Sequence, residues 1–294
     1  MPGEGCPPFD VVVHVISVIV PARNESAVIA RTLKTMIDGA LQGELEVIVV
    51  CNGCSDDTAE IARRIGLPVR VIETESAGKS HALNLGDQAA RSFPRIYVDA
   101  DVIIPIGGVR ILARHLSRDG ILAAAPTPDI DLTGCSWWVR AFYDIRALLP
   151  SSREGIGGSG VYALSRAGRR RFERFPRITA DDGYVRLHFK SHERATLATA
   201  RSKVFAPRTI KDLIATKTRA HYGSFELASR CPRLSENRGN SNHNAILALF
   251  RRPMLWPKLL VYNYVTILAR HRARVRLRAG DPGWERDDTS RAAI

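Results

Sequence analysis

Between about residues 10 and 125, short apolar runs rich in β-branched residues alternate with amphipathic segments, and this alternation restricts the chain to few folds. Val11–Val20 has the character of a strand, halted by Pro21. The segment Ser26–Ile37 comes next as a helix with Ile29, Leu33, Met36 and Ile37 on one face. Leu45–Val50 is a short buried strand, and Ser55 is placed to cap a helix over Asp56–Ile65 with acids in its first turn. A third strand at Val69–Ile72, a helix at Lys79–Arg91 and a fourth strand at Arg95–Val98 lead into Asp99-Ala100-Asp101. A helix at Gly108–Leu116 and a small strand at Ile121–Ala125 close the series.

Strands joined by helices of this length predict right-handed βαβ units and a mostly parallel α/β sheet flanked by helices. Ligands of such sheets sit at the carboxyl ends of the strands. Here those ends are Pro21–Glu25, Cys51–Asp57, Glu73–Lys79 and Asp99–Asp101.

After Pro126 the rhythm changes. An aromatic helix is expected over Ser136–Leu149, a strand-like piece at Val161–Leu164, a helix starting near Asp182, and a longer helix over Ile210–Ser229. The chain accordingly divides into 10–125, 126–230 and a basic C-terminal extension over 231–294. That extension is irregular apart from an apolar stretch at Leu255–Ala269.

A chain of 294 residues, 45% of them hydrophobic, can bury a substantial core. The formal charge of +13, carried mostly by arginine, fits a phosphate-bearing substrate, an anionic membrane, nucleic acid or an arginine-rich proteome. No nucleic-acid partner is expected, because no reader motif is present and aromatics do not interleave with the basic residues. The five cysteines, Cys6, Cys51, Cys54, Cys135 and Cys231, are odd in number and irregular in spacing. With no secretory segment at the start, reduced thiols in a cytoplasm are the expectation. Cys51-x-x-Cys54 lacks the second pair that a zinc site needs.

Two glycine motifs mislead. Gly155-Ile156-Gly157-Gly158-Ser159-Gly160 matches a dinucleotide fingerprint in letters, yet it lies mid-chain and precedes a strand. Gly78-Lys79-Ser80 is half of a P-loop whose first glycine is replaced by Glu73.

The acid pair after the fourth strand carries more. Strand residues i and i+2 point the same way, so Asp99 and Asp101 are expected to converge on one hard cation. Carboxylate oxygens with open positions suit Mg²⁺ or Mn²⁺ bridging a diphosphate.

Four ordered motifs resemble family 2 glycosyltransferases of the GT-A type over roughly Ile16–Ile104. They are Val18-Ile19-Val20-Pro21-Ala22-Arg23-Asn24-Glu25, the stretch Val49–Thr58, Gly78-Lys79-Ser80-His81-Ala82-Leu83-Asn84-Leu85-Gly86, and Val98-Asp99-Ala100-Asp101. The resemblance implies a GT-A, Rossmann-like fold, with 10–125 as the nucleotide-sugar-binding half and 126–230 as the acceptor-binding half of the same domain, and a nucleotide-sugar donor with UDP favoured. It places Pro21, Ala22 and Glu25 along the nucleoside pocket, Glu25 accepting from the ribose. Asn52 and Asp56 would contact the base, Lys79 the base or phosphates, and Asp99 and Ala100 the donor. The family more often has two acids where this chain has Cys51-Asn52.

Gly157–Arg166 resembles the family's small-residue segment beside the donor sugar, with Gly158 nearest. Ala180-Asp181-Asp182 resembles its acidic pair, implying Asp182 as catalytic base and Asp181 as the alternative. In Lys217-Thr218-Arg219-Ala220-His221, Arg219 would neutralise the leaving group and His221 would join Asp99 and Asp101 as a metal ligand. Plain helix capping by the acids and a surface or core histidine are the competing structural roles.

The implied activity is metal-dependent transfer of a hexosyl group, with inversion, to a small-molecule, glycan or lipid-linked acceptor. The rivals are a retaining GT-A enzyme and a nucleotidyltransferase acting on a sugar phosphate. The apolar stretch at 255–269 is short of the ~20 residues needed to span a bilayer. With the arginines at alternate positions from Arg270 to Arg278, it suggests peripheral membrane contact through 255–278, or a helix packed back on the domain.

Overall fold

The computed structural model describes residues 15–118, 120–152, 156–237 and 242–280. Strands and helices alternate as β1 (Ile16–Ala22), α1 (Ile29–Ile37), β2 (Leu45–Asn52), α2 (Thr58–Arg63), β3 (Val69–Thr74), α3 (Lys79–Ala89), β4 (Arg95–Val98) and α4 (Ile106–Leu116). The second half adds β5 (Ala123–Asp131), α5 (Trp137–Leu148), β6 (Val161–Leu164), α6 (Arg166–Arg169), α7 (Asp181–Leu187), β7 (Arg194–Phe205), α8 (Ile210–Arg230), α9 (His243–Leu249) and α10 (Trp256–Ala279).

The seven strands form one sheet in the order β3-β2-β1-β4-β6-β5-β7. The β3-β2-β1-β4 block is parallel, and β6 is antiparallel to both of its neighbours. Strands β1 and β2 read as continuous apolar runs because both faces are covered. Val18, Val20, Val47 and Val49 pack with Leu33, Met36 and Leu112 on one side. Ile19, Ile48 and Val50 pack with Leu83, Tyr97 and Phe175 on the other.

The expected strand at 11–14 lies outside the described residues, and β1 instead runs on through Pro21 to Ala22. Ser55 does not cap α2. Asp57 occupies the N-cap position without a side-chain bond, and Ser55 instead pairs with Asn24, whose amide oxygen accepts from its N–H at 2.8 Å. Strand β7, twelve residues long, was not anticipated. Its run of small and polar residues lies at the sheet edge, where partial exposure blurs the two-residue period.

The apolar stretch near 255–269 belongs to a single 24-residue helix, α10, which the arginines do not interrupt and which Gly280 ends in a left-handed conformation. Alternate positions on a helix lie 200° apart, so those arginines spread over both sides. Helix α10 packs on α5 and α8 through Leu259, Val261 and Val265, with Phe142 stacked on Tyr262 at 5.1 Å. Residues 281–294 of the basic extension lie outside the described residues.

Candidate active site

The ends of β1, β2 and β4 meet the entry of α3 in one place, and Asn52, at the end of β2, ties β1 to the entry of α3. Its amide nitrogen donates to the Ala22 carbonyl at 2.8 Å, and its amide oxygen accepts from the Gly78 N–H at 3.0 Å. Asn52 is buried, so its amide is committed to holding the pocket's shape. Asp56 also holds loops: it accepts from the N–H groups of Ser26 and Thr58, both at 3.1 Å. Burial pushes its carboxyl up, but the hydrogen bonds from Thr58 and Ser26 outweigh this and hold it below the usual range. Glu25 is buried at the entry to α1, and its N–H donates to the Thr58 hydroxyl at 2.7 Å. Cys51 is buried against Cys54, and burial pushes its thiol up to about 12, which leaves it an inert core group at neutral pH.

Lys79, the first residue of α3, links the two halves of the pocket. Its ammonium lies 2.7 Å from an Asp99 oxygen and 2.9 Å from an Asp181 oxygen. Burial disfavours the charge, but the two carboxylates more than offset it and hold the amine protonated. Burial pushes the Asp181 carboxyl up, against the pull of Lys79, and the charges of Asp182 and Asp99 push the same way.

The ground on which Asp99 and Asp101 are expected to converge, a shared strand face, is corrected here. Strand β4 ends at Val98, and the chain turns at once, with the Val102 N–H donating back to the Asp99 carbonyl at 3.1 Å. Strand alternation no longer applies in a turn. Asp99 faces Lys79, whereas the charge of Asp101 acts on Arg31, whose guanidinium lies 4.2 Å over the Phe205 ring. The Thr32 hydroxyl pins the turn by donating to the Ala100 carbonyl at 2.9 Å.

The glycine-rich segment lies directly against this turn. Gly160, at φ +63°, accepts from the Asp99 N–H at 2.8 Å, and a Cβ there would fall 2.4 Å from a Val102 methyl. The segment leads into the antiparallel strand β6, not into the helix that a dinucleotide fingerprint requires; Gly155 lies outside the described residues.

The two acids at the start of α7 differ sharply. Asp181 is buried, bonded to Lys79 and to the Tyr162 hydroxyl at 3.3 Å. Asp182 is half-buried, and its two oxygens accept from the N–H groups of Gly183 at 2.7 Å and Gly158 at 3.3 Å. The carboxylate is thereby oriented beside the glycine loop but not consumed by a cation. Helix α8 comes close to this segment because of Gly223, where a Cβ would stand 2.9 Å from that of Ala180.

His221 is not brought to Asp99 and Asp101. It faces Arg270 and Arg274 of α10 and Lys217 of its own helix, and it stacks on Phe225 at 6.2 Å. Burial, then those three cations, pushes its imidazole down to about 4. Among the described residues no three His, Cys, Asp or Glu side chains gather as a metal-holding group. Arg219, half-buried on α8, adds its charge to Lys217.

Three contributors were not anticipated: Tyr162, Arg146 and Gly223. Tyr162 stands within the Gly157–Arg166 segment, but nothing in the local pattern of Arg146 or Gly223 connects them to a pocket. The carboxylate oxygens of Asp99 and Asp101 are hard donors of the kind that Mn²⁺ and Mg²⁺ take. The ammonium already at Asp99 marks this corner as one that attracts cations.

The sequence profile of Glycosyl transferase family 2 matches residues 17–174. A 92-residue stretch is 38% identical to the 4,4'-diaponeurosporenoate glycosyltransferase of Staphylococcus haemolyticus, covering 30% of this chain and 24% of that protein. The Staphylococcus aureus protein of the same name is 36% identical over 91 residues, with the same shares. The chain thus matches about a quarter of the length of these relatives. Among solved structures, the Pyrobaculum calidifontis mannosyltransferase PcManGT, in complex with GDP-Man and Mn²⁺, aligns with a TM-score of 0.61 and 20% identity. That alignment covers 92% of this chain and 76% of the other. Glucosyl-3-phosphoglycerate synthase from Mycobacterium tuberculosis, with Mn²⁺, UDP and phosphoglyceric acid, aligns with a TM-score of 0.54 and 22% identity over 74% and 78% of the two chains. These likenesses identify the architecture as the GT-A fold. The profile spans more than half of the chain and takes in the strand ends that meet in this pocket, and the protein therefore belongs to glycosyl transferase family 2.

Proposed function

We propose that this glycosyltransferase moves a sugar from a nucleoside-diphosphate sugar, with UDP favoured, to an acceptor hydroxyl, and inverts the anomeric centre. The observation that carries the reading is the contrast between the two acids of α7. Asp181 is committed to Lys79 and Tyr162, while Asp182 is accessible and aimed by two backbone N–H groups.

A Mn²⁺ or Mg²⁺ held by the carboxylates of Asp99 and Asp101 would supply charge neutralisation for the donor diphosphate. The protein's own groups do the rest. Asp182 accepts the proton of the acceptor hydroxyl as its oxygen bonds to the anomeric carbon, and the bond to the diphosphate oxygen breaks on the opposite face. Lys79 and Arg219 face the negative charge that the departing nucleoside diphosphate takes on. Lys79 lies between Asp99 and Asp181, so donor binding draws its ammonium away from Asp99 and towards phosphate oxygens. A base on one side and a leaving group on the other give inversion; anomeric NMR of the product that reveals retention would overturn the mechanism.

Stabilisation by UDP and GDP, each measured with and without Mn²⁺, tests donor and metal together. UDP with Mn²⁺ is expected to raise Tm most, and D101N is expected to remove the metal dependence. A free triphosphate that outperforms both diphosphates would favour a nucleotidyltransferase.

Peripheral membrane contact rests on a separate observation. Leu260, Tyr264 and Ile267, three to four residues apart along α10, are 71%, 57% and 67% exposed and form one apolar stripe. The exposed Arg270, Arg272 and Arg274 come directly after it. No helix among the described residues is long and apolar enough to cross a membrane. Sedimentation with vesicles rich in phosphatidylglycerol, but not with phosphatidylcholine vesicles, is the expected result, and replacing Leu260 and Ile267 by serine should abolish it.

A further inference from the structure

Beside the glycine loop, three helices bring cations together. Arg146 comes from α5, Lys217 from α8, and Arg270 from α10. Arg146 reaches the loop itself: a Cβ built on Gly158 would lie 3.0 Å from its Nη2. The Gly158 N–H in turn donates to Asp182 at 3.3 Å. Lys217 faces the charges of Arg146 and Arg219, with its ammonium 5.5 Å from the Phe142 ring centre and 5.4 Å from that of Tyr143.

No carboxylate among the described residues forms an ion pair with Lys217 or Arg146. Nearby Asp144 points elsewhere, bonded to Lys258 at 2.6 Å. Burial and the charges of Arg146 and Arg219 all push the Lys217 amine well below its ordinary value, and no acid opposes them. A half-buried lysine facing like charges disfavours the folded state. An anion bound there would offset that cost.

We infer that Arg146 and Lys217 form a subsite for an anionic group, a phosphate or a phosphate monoester, carried by the acceptor. This rests on the glycosyltransferase reading and deepens it. Arg146 meets the same Gly158 whose N–H orients Asp182, so the subsite flanks the base that takes the acceptor's proton. It thus selects the acceptor rather than the donor. Arg supplies a fork for two phosphate oxygens, and Lys supplies a point charge on the aromatic floor.

The test uses the full chain. Inorganic phosphate, glycerol 3-phosphate and dodecyl phosphate in detergent micelles are titrated against thermal stability, with glycerol and dodecanol as neutral controls. The phosphate compounds should stabilise the wild type saturably, and K217M should weaken binding at least tenfold while leaving the response to UDP with Mn²⁺ unchanged. R146Q should act in the same direction, so the test survives if K217M fails to fold. Response to glycerol 3-phosphate marks a soluble acceptor, and response to dodecyl phosphate alone marks a lipid-borne one. The inference is overturned if phosphate and neutral compounds act alike. It is also overturned if K217M or R146Q weakens UDP binding as much as phosphate binding, because the cations then serve the donor. Saturable, K217M-sensitive phosphate binding without any nucleotide response would sink the transferase reading and leave the subsite standing.

Discussion

On the wall of the pocket built from strand ends, Lys79 sits between Asp99 and Asp181 at 2.7 and 2.9 Å, and Asn52 and Asp56 tie the loops together. On the wall built from α5, α8 and α10, Lys217 faces the charge of Arg146 and His221 faces Lys217, Arg270 and Arg274, and among the described residues no carboxylate forms an ion pair with Lys217 or Arg146. The first wall pairs its ammonium with carboxylates and ties its loops by hydrogen bonds without a ligand. The second is held by apolar packing of Phe142, Val261 and Val265 while its charges repel, so its electrostatics improve only when an anion arrives. Charge pairing thus separates a preorganised wall from one that waits for a partner.

The largest expected effect breaks the link between the walls at Asp182. D182N should lower kcat by about 10²–10⁴-fold, the range of general-base assistance, while UDP binding stays intact. Single-turnover kinetics and a binding titration measure the two separately; unchanged turnover removes Asp182 from the mechanism.

A second variant strikes the paired side in the protein interior. Asp87 on α3 accepts from the Tyr97 hydroxyl at 2.6 Å and pairs with Arg95 at 2.6 Å and Arg169 at 2.8 Å, all largely buried. D87A leaves two arginines without their anion and should cost about 3–5 kcal/mol of stability in a denaturant titration. Burial pushes the Asp87 carboxyl up, but Tyr97 and the two guanidiniums hold it below the ordinary range. Its contribution is therefore present above the unfolded value of about 3.9 and is lost as pH falls through the lower folded value. The acid unfolding curve of D87A should flatten over that window.

G223A adds a methyl where α8 meets Ala180 at 2.9 Å. Overpacking of this kind costs about 1–3 kcal/mol. Because Ala180 directly precedes the two acids, kcat should fall more than donor affinity.

The smallest effect comes from the unpaired wall. K217M should raise the Tm of the ligand-free protein, because it removes a charge that the fold disfavours. Burial and the neighbouring arginines lower the Lys217 amine in the folded state, so the unfolded chain binds more protons. Stability of the wild type then rises with pH towards the unfolded value of about 10.4, and K217M should lessen that slope. A lower Tm in K217M would mean that the ammonium already has a stabilising partner.

Much of the first half was legible in the sequence. The β1, β2, β3 and β4 runs are apolar because both sheet faces are covered, and the polar residues at their ends had to collect at one edge of the sheet. The family follows from those four ordered strand ends. The second half was less legible for physical reasons. Edge strand β7 has no strong period, and a helical cation such as Arg146 acquires meaning only from what its neighbours present.

The sequence alone determined the order of strands and helices from β1 to α4, the location of polar loops at strand ends, and the acid pairs at Asp99–Asp101 and Asp181–Asp182, because hydrophobic periodicity is a local property. Tertiary structure decided how those acids divide their work. It turned the chain after Val98 so that Asp99 and Asp101 meet different cations, buried Asp181 against Lys79, left Asp182 accessible, and rotated His221 towards α10. Those outcomes depend on distances between segments far apart in the chain, which no local pattern encodes.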